Sequence, residues 1–205
     1  MMKLEDCKVV FAAVGLIGVL ILASPTLGLV LHLPGGEKFS ELWVLGPGHM
    51  AEDYPFNVRE NGSYLVYVGV GNHMGSSTYY VVYVKFRNET EPLPNATTGA
   101  PSVLAPLYEY RVFLEDRGNS EVPLAFSFSN VSFSGNQSTV GSLTVNGVPF
   151  GVDKSVSWDA VNSGYYYELF MELWIYDPAS DGFSFHNRFV SRWLNMTASV
   201  FMTGS

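Results

Sequence analysis

Beyond residue 40 apolar side chains recur mostly at every second position, and the pattern is broken at short intervals by Gly, Pro, Asn and Ser. Such alternation predicts β-strands, and no long helical periodicity competes with it there. The series opens with 42–45, followed by Gly46-Pro47-Gly48 and a polar stretch around Glu52 and Asp53. In 63–70 (SYLVYVGV), Tyr64, Val66 and Val68 share one face and Leu65, Tyr67 and Gly69 the other. The run 78–87 (TYYVVYVKFR) follows after a turn-forming loop of hairpin length, so these two strands are expected to pair. Residues 88–106 hold four prolines and no periodicity, which predicts a long exposed loop. Strands are expected over 107–114 and 122–128 around an EDRGNSE turn. Others follow over 131–133, over 142–145 and 148–150 about Asn146-Gly147, and over 155–158. The run 165–176 (YYYELFMELWIY) is apolar on both faces, as a central strand is, and Asp177-Pro178 with Asp181-Gly182 ends it. The last run, 188–197 (RFVSRWLNMT), should pair back antiparallel, although Phe189 with Trp193 and Val190 with Leu194 also have helical spacing. About eight strands of this kind predict an all-β fold, a two-sheet immunoglobulin-like sandwich.

A different pattern precedes the strands. Residues 9–31 carry no charge, and roughly 20 apolar residues suffice to cross a bilayer core. The expected organisation is therefore a cytoplasmic N-terminus over 1–8, a transmembrane helix over 9–33 kinked at Pro25, a linker over 34–40 and an extracytoplasmic sandwich over 41–200. Lys3 and Lys8 flank the N-terminal end and orient it inward, a bias that Glu5, Asp6 and Lys38 reduce. The rival is a signal peptide cleaved near Ala23-Ser24. The apolar stretch runs on for about eight residues past that point, which a span needs and a signal peptide does not. Ala12, Ala13, Gly15 and Gly18 would let a second membrane helix approach closely.

Composition narrows the function classes. The net charge is −8 with only 11 Lys and Arg, which argues against nucleic acid and anionic lipid headgroups as partners. The single Cys, Cys7, precedes the apolar segment, so the sandwich has no disulfide and must be held by packing and hydrogen bonds. The N-glycosylation pattern N-x-S/T occurs six times, at Asn61, Asn88, Asn95, Asn130, Asn136 and Asn195, all C-terminal to the apolar stretch. Chance would give roughly two, so N-linked glycans on an external domain are expected.

The blocks ELWVLGPGHMAEDYP, ENGSYLVYVGVGNH, TYYVVYVKF, FMELWIYD and HNRFVSRWLNMT, in that order, resemble the archaeal family of predicted membrane proteins called domain of unknown function 1616. The resemblance covers roughly residues 38–90 and 107–197, with the intervening loop unmatched. It implies an extracytoplasmic immunoglobulin-like domain and brings no activity, cofactor or catalytic residue with it.

Candidate chemistry is sparse. His49-Met50 and His73-Met74 repeat a pair that suits copper, though no third strong ligand stands near either in sequence. No GxSxG, HExxH or P-loop occurs, and Glu52-Asp53 and Glu115-Asp116 lie in polar turns, so neither catalysis nor a cofactor is expected. Glu168 and Glu172 share a face of the apolar run and are expected to pair with Arg188 or Arg192 of the neighbouring strand. Tyr79, Tyr80, Tyr83 and Tyr165 to Tyr167 could form an aromatic platform for sugar, or serve as core and cross-strand partners. The leading expectation is a tethered, glycosylated structural or interaction protein, an accessory subunit with a protein partner in the envelope or membrane. A carbohydrate- or other ligand-binding module is the alternative, and a copper-binding envelope protein the remote one.

Overall fold

The computed structural model of the chain describes Lys8, residues 10–19 and residues 37–198. Two compact units divide at Lys38 and Phe39. In the first, Lys8 and residues 10–19 are helical, and the rest of the expected 9–33 span lies outside the described residues. Among the described residues no helix is long and apolar enough to cross a membrane.

The second unit is a two-sheet sandwich. Its strands are β1 (Phe39–Leu45), β2 (Asn57–Arg59), β3 (Ser63–His73), β4 (Thr78–Arg87), β5 (Tyr108–Leu114), β6 (Asn119–Ser134), β7 (Gln137–Val145), β8 (Val148–Ser157), β9 (Tyr166–Asp177) and β10 (Gly182–Thr197). Sheet A has the order β1-β3-β6-β7-β8 and sheet B the order β2-β10-β9-β4-β5. All pairings are antiparallel except β2 with β10.

Alternation along the strands builds the core. On β4 the inward residues are Tyr80, Val82, Val84 and Phe86; on β9 they are Tyr167, Leu169, Met171 and Leu173. Sheet A answers with Val66, Val68, Val70, Leu124, Phe126, Phe128, Val140, Leu143 and Val145. Two buried tyrosines cross this core and remain satisfied. Tyr167 donates to the Ser138 carbonyl at 2.8 Å, and Tyr80 donates to Asn72 Oδ1 at 3.0 Å while meeting Ser40 Oγ at 2.7 Å. A ring of this size contributes by area alone, and truncating it to alanine typically costs about 3–5 kcal/mol.

The Asn146-Gly147 hairpin forms as the sequence predicts, with φ of 47° and 82° at its central residues and Val145 opposite Val148. The run 165–176 becomes the central strand β9, and 188–197 lies within β10, a strand and not a helix. The expected pairing of the 63–70 and 78–87 strands does not form. β3 and β4 belong to different sheets, as do β5 and β6, so 74–77 and 115–118 carry the chain from sheet to sheet. Asn72, fully buried at the end of β3, fixes both corners. Its amide donates to the carbonyls of Ser76, Leu114 and Glu115, and its carbonyl accepts from the Met74 amide as well as from Tyr80. Turn-forming residues between two alternating runs serve a corner as well as a hairpin, and only the second strand's sheet separates the cases.

Other boundaries shift. The runs 122–128 and 131–133 are parts of one strand, β6, and 148–150 and 155–158 merge into β8, each carrying one residue at positive φ, Asn130 and Asp153. β1 starts at Phe39, inside the expected 34–40 linker. β2, only three residues long, has too little pattern to be read in sequence. β10 starts six residues before 188 and carries a bulge between Phe185 and Arg188, where Asn187 has a φ of 53°.

Candidate functional site

The register of sheet B decides which groups can meet on its outer face. Residues directly opposite share a face, so Tyr83, Glu172 and Phe189 form one row, and Lys85, Phe170 and Ser191 the next. Arg87, Glu168 and Trp193 follow, and Tyr166, Asn195 and Asn57 complete the outer surface toward β2. Arg188 and Arg192 stand opposite Leu173 and Leu169, on the other face. The expected pairing of Glu168 and Glu172 with those arginines is therefore incorrect. The strand on the opposite side, β4, supplies the cations: Lys85 Nζ lies 2.8 Å from Glu172 Oε2, and Arg87 Nε lies 2.6 Å from Glu168 Oε2.

Both pairs are buried although they sit on an outer face, because residues 88–107 fold back over them. Ser102 donates its amide to Glu172 Oε1 at 2.8 Å and accepts Lys85 Nζ on its carbonyl at 2.9 Å. Trp174 Nε1 completes the Glu172 shell at 3.0 Å, and the Arg87 guanidinium donates to the carbonyls of Asn88, Glu89 and Glu91. The segment expected as a long exposed loop is mostly exposed, and it is also a strap with a buried contact at Ser102. Both carboxylate oxygens of Glu172 are hydrogen-bonded, as a structural buried pair requires.

The strap leaves aromatic surface on either side of the buried pairs. Toward the β9–β10 turn lie Tyr79, Tyr176 and Phe183, with Tyr79 and Phe183 ring centroids 5.3 Å apart. Beyond Arg87 lies a groove of about 490 Å³ lined by Phe56, Glu89, Asp159, Asn162, Tyr166 and Trp193. The tyrosines considered together in the sequence thus separate. Tyr80 and Tyr167 are core, and burial pushes the Tyr167 hydroxyl up to about 12. Tyr79 and Tyr83 pack on neighbouring rings of the outer face, Tyr165 packs against Phe133 and Trp158, and Tyr166 alone of the six lines the groove.

The histidines of the two His-Met pairs are held by carboxylates and rings. His49 meets Glu121 at 3.0 Å and stacks on Tyr67; His73 meets Glu41 at 3.4 Å and stacks on Phe39. The His49 contact, followed by the Trp43 indole, holds the Glu121 carboxyl below the usual carboxylate range. Trp43 lies against Gly69 and Gly71, where a Cβ on Gly69 would collide with its ring. Among the described residues no three His, Cys, Asp or Glu side chains gather to hold a metal ion.

Of the six glycosylation-pattern asparagines, Asn61, Asn95, Asn130 and Asn136 are exposed. Asn88 and Asn195 are half-buried, and their amides donate to the Ser155 carbonyl at 3.3 Å and to Asn57 Oδ1 at 3.0 Å.

Residues 33–132 match the family described as Domain of unknown function (DUF1616), just under half of the chain. The match supports the first three of the five blocks that carry the resemblance, while the blocks in β9 and β10 lie beyond it. No curated protein matches. Among solved structures, a beta-glucosidase from Listeria innocua in complex with glucose is 11% identical with a TM-score of 0.43, the likeness covering 80% of this chain and 17% of that one. The complex of Zinc 2-glycoprotein and Prolactin inducible protein from human seminal plasma is 10% identical with a TM-score of 0.38, covering 80% of this chain and 99% of that one. Both likenesses are distant.

Proposed function

We propose that this chain is a membrane-tethered, N-glycosylated extracytoplasmic domain of immunoglobulin-like style from an archaeal envelope, without catalytic activity, which serves as an accessory interaction subunit of a membrane or envelope complex. The observation that carries the reading is the coincidence of an uncharged stretch at 9–31 with four exposed glycosylation-pattern asparagines on the domain that follows it. A stretch of that length is stable in hydrocarbon, and bulky glycans need exposed acceptors. The disposition of charge agrees with a non-catalytic role. The buried ionisable groups on the outer face of sheet B are engaged with one another, Lys85 with Glu172 and Arg87 with Glu168, and the first pair is tied to the Ser102 backbone as well.

Protease treatment of intact cells tests the topology. The expected result is a shaved external domain and a residual fragment that stays in the membrane pellet after an alkaline wash. A chain that is protected in intact cells and washes into the supernatant would overturn the proposal. A binding role for the domain is favoured by one further feature, the open aromatic groove beside Arg87.

A further inference from the structure

We propose that the groove between Phe56, Tyr166 and Trp193 is a binding site for a neutral saccharide. The inference goes beyond the tethered-surface reading and does not depend on the anchor.

The groove's floor belongs to the rigid part of the fold. Trp193 stands directly opposite Glu168 on the central strand pair, and its ring covers the Arg87 guanidinium at 5.3 Å, so one face is spent on the protein and the ring is held in place. Trp193 nevertheless remains 43% exposed and Phe56 48% exposed, so both rings keep surface open to solvent at the groove. Phe56 and Tyr166 are tilted by 39° at 6.1 Å, so the rings form a concave wall rather than a flat sheet.

The opposite wall is preorganised. Asp159 accepts the backbone amides of Val161 and Asn162 at 2.8 and 3.1 Å and the Asn162 side-chain amide at 2.6 Å, and these bonds hold its carboxyl below the ordinary range. The Tyr166 hydroxyl donates to the Asn162 carbonyl at 2.6 Å and latches this loop to the aromatic floor. Two acceptors remain open toward the groove. Among the described residues, neither the Glu89 carboxylate nor the Asn162 side-chain oxygen receives a hydrogen bond.

Rings on one side and free acceptors on the other select the ligand's chemistry. A pyranose presents a C–H face that packs on an aromatic ring and a rim of hydroxyl donors that carboxylates and amide oxygens accept. An anionic sugar or phosphate meets Glu89 and Asp159; among the described residues no cation lines the groove, and Arg87 beneath the tryptophan is committed to Glu168. An aliphatic peptide side chain would strip water from both carboxylates without replacing it.

The test uses the full chain in a zwitterionic detergent that has no sugar headgroup. An array of neutral hexose, N-acetylhexosamine and uronate oligosaccharides is read first, and any hit is titrated by tryptophan fluorescence. The expected result is retention of at least one neutral oligosaccharide class and none of the uronates, with a change in Trp emission on titration. Trp193→Ala should weaken binding at least about tenfold, and Glu89→Gln should weaken it less. Because Trp193 shields Arg87, Phe56→Ala serves as the second variant; its exposed ring precedes β2, and it too should weaken binding with an unchanged melting temperature. Binding of no neutral saccharide, or binding that Phe56→Ala and Trp193→Ala leave at the wild-type level, would overturn the proposal. So would uronate binding, or displacement of the hit by tetramethylammonium, which would identify a cation cage. Any of those results would leave the membrane topology untouched, because protease shaving reads a different property.

Discussion

Replacing Glu172 by leucine is the sharpest perturbation of the strap and the sheet it covers. Glu172 is fully buried, Lys85 is 3% exposed, and the carboxylate accepts from Lys85 Nζ, the Ser102 amide and Trp174 Nε1. Removing one member of a buried pair leaves the other charge without compensation, which costs about 3–5 kcal/mol. Over a domain of this size that is a fall in melting temperature of roughly 6–20 °C. Lys85→Met combined with Glu172→Leu removes both charges and should recover at least about half of the loss, with about 1–3 kcal/mol remaining for the orphaned Ser102 amide. Guanidinium denaturation of the full chain, read by linear extrapolation for both singles and the double, measures the coupling between the two groups. A Glu172→Leu cost below about 1 kcal/mol, or a double variant as unstable as the sum of the singles, would refute the idea that the strap seals this pair from water.

Three further outcomes follow from the geometry. Asn72→Ala should cost more than about 3 kcal/mol, since three carbonyls, the Met74 amide and the Tyr80 hydroxyl each lose a hydrogen bond at once; chemical denaturation checks the loss, and faster amide exchange at 74–77 and 115–118 locates it. His186 is held below its ordinary value of 6.5 by burial and then by Arg188, so the unfolded chain takes up its proton first. Stability is therefore complete above that ordinary value and declines as pH falls through the lowered one, and His186→Gln should flatten a melting-temperature profile across that window. Glycopeptide mapping should find sugar on the exposed Asn61, Asn95, Asn130 and Asn136 and little on the half-buried Asn88 or Asn195.

Much of the strand content was legible because period-two alternation is a local property: the β9 run, the β10 run and the Asn146-Gly147 hairpin follow from it directly. What alternation lacks is parity between strands. Glu168 and Glu172 stand out as charges in an apolar run, yet their partners depend on which of two neighbours places a cation on the same face. A register that sets Arg192 opposite Leu169 excludes it. The pairing expected between 63–70 and 78–87 fails for a related reason, because the decisive contact is the buried Asn72, which holds carbonyls of a turn some 40 residues away. The groove was nearly invisible. Tyr166 appeared among many tyrosines, and Phe56, Glu89, Asp159, Asn162 and Trp193 come from four separate segments that only the parallel β2–β10 pairing and the strap bring together. An exposed Trp on the polar side of a strand was the one available signal.

The measurement that bears most directly on the account is the intact mass of the native protein extracted from membranes, with peptide mapping of its N-terminus. A tethered glycoprotein predicts a species heavier than the 22.6 kDa chain, an N-terminal peptide that retains the residues before the apolar stretch, and hexose-bearing peptides at the exposed asparagines. A species that begins near Ser24 and carries bare asparagines would contradict it.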